Sequence, residues 1–130
     1  MTLYFVTGNE NKIREAQAIV GEQIKIARLD LPEIQSLNPQ EVVEKKAEAA
    51  YQKLKKPLIV EDVSFSVDAW NGFPGPFIKY VEKAGGNELI INMMKGEKNR
   101  KASATATIGL HTGKEILFFT GTVRGIVVQA

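Results

Sequence analysis

Cysteine is absent from the 130-residue sequence, and only one histidine, His111, occurs. The first absence excludes disulfides and thiolate metal sites and suits a reducing cytoplasm, the expected location. The second excludes a His-rich zinc site. Any bound metal must then be held mainly by oxygen, which favours magnesium, Mg2+, with manganese, Mn2+, as its substitute. No apolar run approaches the ~20 residues needed to span a bilayer, so no membrane association is expected. The N-terminal MTLYFVTG has neither a basic leader nor a small-residue cleavage site and reads as a first strand. An excess of one charge is missing too. Seventeen basic and 15 acidic side chains leave a net charge of +2, too little to argue for a nucleic-acid partner. Basic residues recur at Lys53, Lys55 and Lys56, and again at Lys95, Lys98, Arg100 and Lys101. They sit among turn and helix-end residues and read as solvated surface.

What is present has the pattern of one α/β domain. Thr2 to Val6 is an apolar strand that breaks at Thr7-Gly8-Asn9. Helical spacing follows through Ile13, Ala16, Ile19 and Val20, with Asn9 or Asn11 as the cap. Ile24 to Leu29 alternates like a strand, and Leu31 to Pro39 is a loop with two prolines. From Pro39 to Lys55 the spacing is helical again, with Val43, Ala47, Ala50 and Leu54 facing inward. Pro57 to Val60 is a buried strand expected to end at Glu61-Asp62, before a turn-rich segment from Asn71 to Pro76. Two helices, near Phe77 to Lys83 and Asn87 to Lys95, are separated by Gly85-Gly86. Ala102 to Leu110 and Glu115 to Thr120 then flank a hairpin turn, and Val123 to Gln129 is one more strand. The order predicts a mixed twisted sheet flanked by helices, without repeat or linker. The last apolar run, Ile126 to Ala130, would leave an exposed sheet edge that invites pairing.

Four places can carry chemistry. Thr7-Gly8-Asn9-Glu10-Asn11-Lys12 joins a strand to a helix. Gly8 permits a tight turn, the helix N-terminal amides can cradle phosphate oxygens, and Lys12 adds a point charge. A plain strand–helix turn with an exposed lysine explains the same residues. Glu61-Asp62 follows a buried strand, where ligands bind in open α/β sheets. Adjacent strand residues point to opposite faces, so one acid could ligate a metal while its neighbour braces the loop. A strand ending in solvated acids is the simpler alternative. Glu33, in the proline-flanked loop, would add an oxygen ligand if it faced that pair. Lys46 and Lys79, taken separately, read as surface lysines.

In order along the chain, these pieces resemble the inosine/xanthosine triphosphate pyrophosphatase family, enzymes that remove deaminated purine nucleotides. The resemblance is carried by FVTGNENK at 5 to 12, LPEIQ at 31 to 35 and KA at 46 and 47. It continues through LIVEDVSF at 58 to 65, NGFPGPFIK at 71 to 79, ATATIGL at 104 to 110 and the FFTGTVRGIVV ending. It implies the family's fold and a magnesium-dependent hydrolysis of non-standard purine triphosphates (ITP, dITP, XTP) to monophosphate and diphosphate. By matching position, Thr7 to Lys12 would bind the triphosphate, with Lys46 and Lys79 as further phosphate contacts. Glu33 and Asp62 would hold the metal, with Glu61 beside them as a third candidate ligand, and Asp62 would also orient and deprotonate water. Asp62 beside a cation is expected to stay ionised and to act more by orientation than as a base. Val63 would offer its backbone, because many relatives have Ser-Gly after the acidic pair where this chain has Val63-Ser64.

Relatives continue past the RGIVV-like strand into a Phe/Gly-Trp-Asp and a Ser-His-Arg segment that grip the base, and neither is in this sequence. The expectation is one pyrophosphatase-like domain over residues 1 to 130 with the fold's C-terminal part missing. It would act on a nucleoside triphosphate and form a homodimer. A non-catalytic nucleotide-binding or self-associating remnant is the alternative.

Overall fold

The computed structural model describes residues 2–20 and 24–129. Among the described residues, four α-helices and six strands follow in order: β1 (Leu3–Val6), α1 (Glu10–Val20), β2 (Ile24–Ala27), α2 (Pro39–Leu54), β3 (Leu58–Val67), β4 (Pro74–Gly75), α3 (Ile78–Ala84), α4 (Gly86–Met93), β5 (Lys101–His111) and β6 (Ile116–Ile126), with one 3-10 turn at Asp68–Trp70. The sheet order is β2-β1-β3-β5-β6, with β4 paired to β3. β1 runs parallel to β2 and β3, whereas β3, β5 and β6 form an antiparallel meander. The predicted mixed sheet is therefore present, parallel on one side and antiparallel on the other.

Helix α2 anchors the first core. Asn38 accepts from the Gln40 amide at 3.0 Å, Pro39 opens the helix, and Lys55 closes it in the left-handed region at φ 54°. Val43, Ala47 and Ala50 are fully buried against Val6, Leu58 and Val60, and Leu54 packs at the margin. Gly109 lets α2 lie close to the sheet, since an added Cβ would come 2.5 Å from Val43 Cγ1. A second core gathers Val67, Ile78, Ile90, Met94 and Ala102 under α3 and α4. α1 is more loosely seated. Ile13 is buried, but Ile19, predicted to face inward, is 84% exposed. The Val20 side chain, like Ala130, lies outside the described residues.

Two boundaries differ from the sequence reading. β3 does not stop at Glu61-Asp62 but continues to Val67, because β5 pairs with it from Leu58↔His111 to Val67↔Ala102. The predicted strands either side of Gly121 are likewise one strand, held to β5 in unbroken register from His111↔Ile116 to Lys101↔Ile126. In both cases a neighbouring strand supplies the backbone partners that local composition could not anticipate.

Candidate active site

β1 pairs with β3 at Phe5↔Ile59 and ends at Val6, while β3 runs on. Where β1 leaves the sheet, a cleft of about 590 Å3 opens. Its floor carries Asp62 and Val63 from β3. The turn after β1 supplies Thr7, Gly8 and Asn9, and α1 supplies Lys12. Glu33 comes from the loop after β2, Lys46 from α2 and Lys79 from α3. These nine candidates, scattered over the first 79 residues, line one recess.

Three other candidates lie elsewhere. Alternation along β3 turns Glu61 away from Asp62. Its carboxylate meets Lys12 Nζ at 3.4 Å and lines a separate groove with Phe5 and Ile19. The structure therefore does not bring this third candidate ligand into the cleft with Glu33 and Asp62, while its backbone oxygen accepts from Lys46 Nζ at 3.1 Å. Glu10 is exposed and pairs with Arg28 at 3.1 Å. Asn11 bonds Arg14 through its side chain. The expected phosphate cradle also needs correction. Asn9 Oδ1 already accepts from the Asn11 and Lys12 amides at 2.9 and 3.3 Å, so two of the helix-terminal donors are capped. Gly8 does not hold a positive φ, and an added Cβ would meet Leu29 O at an ordinary 3.8 Å. The turn itself does not demand glycine there.

The electrostatics separate the two acids. Glu33 Oε1 lies 2.8 Å from Lys46 Nζ, and its other oxygen bonds Lys79. Burial opposes its ionisation, but the hydrogen bonds and charges of those lysines prevail and hold its carboxyl at about 2. Asp62 is 8% exposed, and its Oδ2 has no hydrogen-bond partner. Burial raises its pKa to about 6; Glu33's charge adds to the rise, while Lys46, Lys12 and Lys79 oppose it. In the protein alone Asp62 is thus more basic than an ordinary carboxylate, yet still mostly ionised at pH 7. Burial would depress Lys79, yet its bond to Glu33 raises it above the ordinary lysine value. Two acids with pKa values driven apart are the arrangement that assigns one to charge and the other to proton transfer.

Among the described residues no group of three or more His, Asp or Glu converges as a metal cage. Two carboxylates share the cleft, one with an unpartnered buried oxygen. Hard oxygen donors in that small number fit magnesium, which keeps several waters and completes its shell with substrate phosphates.

Asp30, Tyr80, Glu82 and Lys83 also line the cleft and were not singled out from the sequence. Lys83 had a legible signal, since it follows Lys79 by four residues and so shares its helix face. Asp30 had none, because loop geometry alone brings it there. Lys12, Lys46, Lys79 and Lys83 give the recess a cationic lining suited to a polyphosphate.

The sequence profile of the Ham1 family matches residues 3–130. The dITP/XTP pyrophosphatase of Methanopyrus kandleri is 38% identical over 133 residues, covering 99% of this chain and 71% of that protein. An inosine triphosphate pyrophosphatase of Emericella nidulans is 34% identical, with 98% and 72% covered. The Ham1 protein of Staphylococcus aureus superposes with a TM-score of 0.75 at 25% identity, over 95% of this chain and 71% of that one. For the Coxiella burnetii HAM1 protein the TM-score is 0.78 at 21% identity, a likeness of fold, over 97% and 73%.

Proposed function

The chain belongs to the Ham1 family, and on that premise we propose that it hydrolyses non-standard purine nucleoside triphosphates to the monophosphate and diphosphate. The observation that carries this reading is the buried, unpartnered Asp62 carboxylate set among four lysines in one cleft. The named activities of the relatives support the choice of substrate.

Each residue has a task that follows from its surroundings. Lys12, Lys46, Lys79 and Lys83 neutralise the triphosphate and orient it, which lowers the cost of bringing an anion to a carboxylate-lined site. Glu33 and Asp62 would hold a magnesium or manganese ion, which when bound offsets charge on the phosphoryl oxygens. Asp62 orients a water and takes its proton at a carboxylate oxygen. The water oxygen bonds to the α-phosphorus as the bridge to the β-phosphate breaks, and the diphosphate leaves with the bridging oxygen. Glu33 is held by Lys46 and Lys79 in the free protein, so those lysines exchange partners when phosphate arrives. Val63 borders the cleft and offers only its backbone as a polar contact.

The reading also assigns a cytoplasmic location and a pair of copies as the assembled form. No described helix is long and apolar enough to cross a membrane. Diphosphate release from inosine triphosphate with magnesium tests the proposal, in the natural chain and in Asp62→Asn. Release that Asp62→Asn abolishes supports it. Nucleotide binding without release by the natural chain would leave the non-catalytic alternative.

A further inference from the structure

Glu61 has no task in the hydrolysis described above, and it sits beside a break in the sheet. β1 pairs with β3 no further than Phe5↔Ile59, and β4 takes up the pairing only at Phe65↔Gly75. β5 holds the other side of β3 along its whole length. From Val60 to Ser64, one side of β3 therefore has no strand beside it among the described residues. Alternation along β3 sends the two neighbouring helices to opposite faces of this gap. α2 packs on the face of Leu58 and Val60, which is also that of Asp62. α1 lies on the face of Ile59, Glu61 and Ile108. Lys46 thus comes to the gap from one face and Lys12 from the other. Glu61 touches both. Its backbone oxygen accepts from Lys46 Nζ at 3.1 Å, and its carboxylate lies 3.4 Å from Lys12 Nζ.

The two lysines are not equally secured. Lys46 is also fixed by Glu33 at 2.8 Å, and its side chain is 16% exposed. Lys12 has Glu61 as its single ion-pair partner among the described residues. A lysine stem is long and freely rotating, and ordering it only when the ligand arrives would weaken the contact it makes. Lys12 borders both the cleft and the groove beneath α1. Its ammonium has three donors, so one can stay with Glu61 while another turns to a phosphate.

We infer that Glu61 is a positioning residue: without touching the substrate, its carboxylate holds the Lys12 ammonium at the gap in the sheet, preset for the phosphates. The inference rests on the triphosphate reading of the cleft and adds to it the residue that orders Lys12. It gives Glu61 a task that does not require its carboxylate in the cleft. A separation of 3.4 Å is longer than a charge-assisted hydrogen bond, so the hold is mainly one of charge. An uncharged amide of the same size should then fail to replace the acid.

Calorimetric titration tests this with an inosine triphosphate analogue that carries a methylene between its α- and β-phosphates, in the presence of magnesium. The natural chain is compared with Glu61→Gln, Glu61→Ala, Lys12→Met and the two double variants, and circular dichroism verifies that each keeps the fold. Either Glu61 substitution is expected to weaken binding about three- to tenfold, in keeping with a partly exposed ion pair and one ordered lysine. In the Lys12→Met background the same substitutions are expected to change affinity by less than about twofold. That dependence on Lys12 is what a purely structural role for Glu61 would not produce. A loss of equal size with and without Lys12 overturns the inference, as does unchanged affinity in Glu61→Gln. Tighter binding by the Glu61 variants also overturns it, because Glu61 would then compete with phosphate for Lys12. A natural chain that does not bind the analogue removes the triphosphate reading and this inference together. Failure of the inference alone leaves natural binding intact, so the two failures are distinct.

Discussion

The molecule holds two recesses of similar size and opposite chemistry. The cleft of about 590 Å3 is lined by lysines and acids brought in by the turn after β1, the loop after β2 and the start of α3. The groove of about 520 Å3 is lined largely by Ile78, Ile90, Ile91 and the later part of β6. Val63, Ile78 and Glu82 border both, so the two lie side by side. The cleft is walled by covalent connections, and Glu33, Lys46 and Lys79 already pair within it. The groove has an edge strand for one wall. Charge needs a closed and preorganised setting, because unpaired buried ions are costly. Apolar surface needs only cover, which another surface can supply.

Removing the central acid should break that contrast most sharply. Asp62→Asn is expected to lower diphosphate release by about 10^3-fold or more, a value in the range of a lost catalytic base. The same change should stabilise the fold. The folded pKa of about 6 lies above the ordinary 3.8, so the stabilising protonated form is fully present below about 4 and is lost as pH rises through 6. At pH 7.5 the ionised carboxylate costs on the order of 2–3 kcal/mol. Urea denaturation should therefore show Asp62→Asn more stable than the natural chain at pH 7.5, with the gap closing near pH 4. A gap independent of pH would remove burial as the cause of the shift.

On the groove side, an equivalent truncation should cost stability alone. Met94 is fully buried beneath α4, and Met94→Ala is expected to cost about 2–5 kcal/mol in denaturant unfolding. Gly109→Ala tests the scaffold under α2 and should cost about 1–3 kcal/mol, since its Cβ would reach within 2.5 Å of Val43. Val43→Ala in the same chain should recover part of that loss, measured as a double-mutant cycle. The smallest effect is expected at the open rim. Ile126 is 72% exposed, and Ile126→Ser should shift unfolding by no more than about 0.5 kcal/mol. A large cost there would mean that the single chain already packs the rim.

Much of this was legible along the sequence. The stripe Val43, Ala47, Ala50 repeats with helical period and is buried as expected. The motifs around Gly8, Glu33, Lys46, Asp62 and Lys79 could be collected because their order was distinctive. Less legible were features fixed by neighbours. Glu61 and Asp62 are adjacent letters, and only the strand continuing through them parts their side chains to different faces. Asn9, one of the two cap candidates in the sequence, accepts from the Asn11 and Lys12 amides, and only the structure shows that this occupies donors a phosphate cradle would use. Ile19 carries the spacing of an inward residue, yet no partner in the described fold covers it.

Local patterning by itself determined most element types, because helix and strand periods and turn chemistry act over a few residues; the family and the site roles came from resemblance in the order of the motifs. The tertiary structure alone decided which acid is stripped of water and which is gripped by lysines. Those states depend on burial and on charges tens of residues away in the chain, here Lys46 and Lys79 on Glu33. It also decided that, among the described residues, β6 pairs on one side only, because only the completed sheet order shows a strand's neighbours.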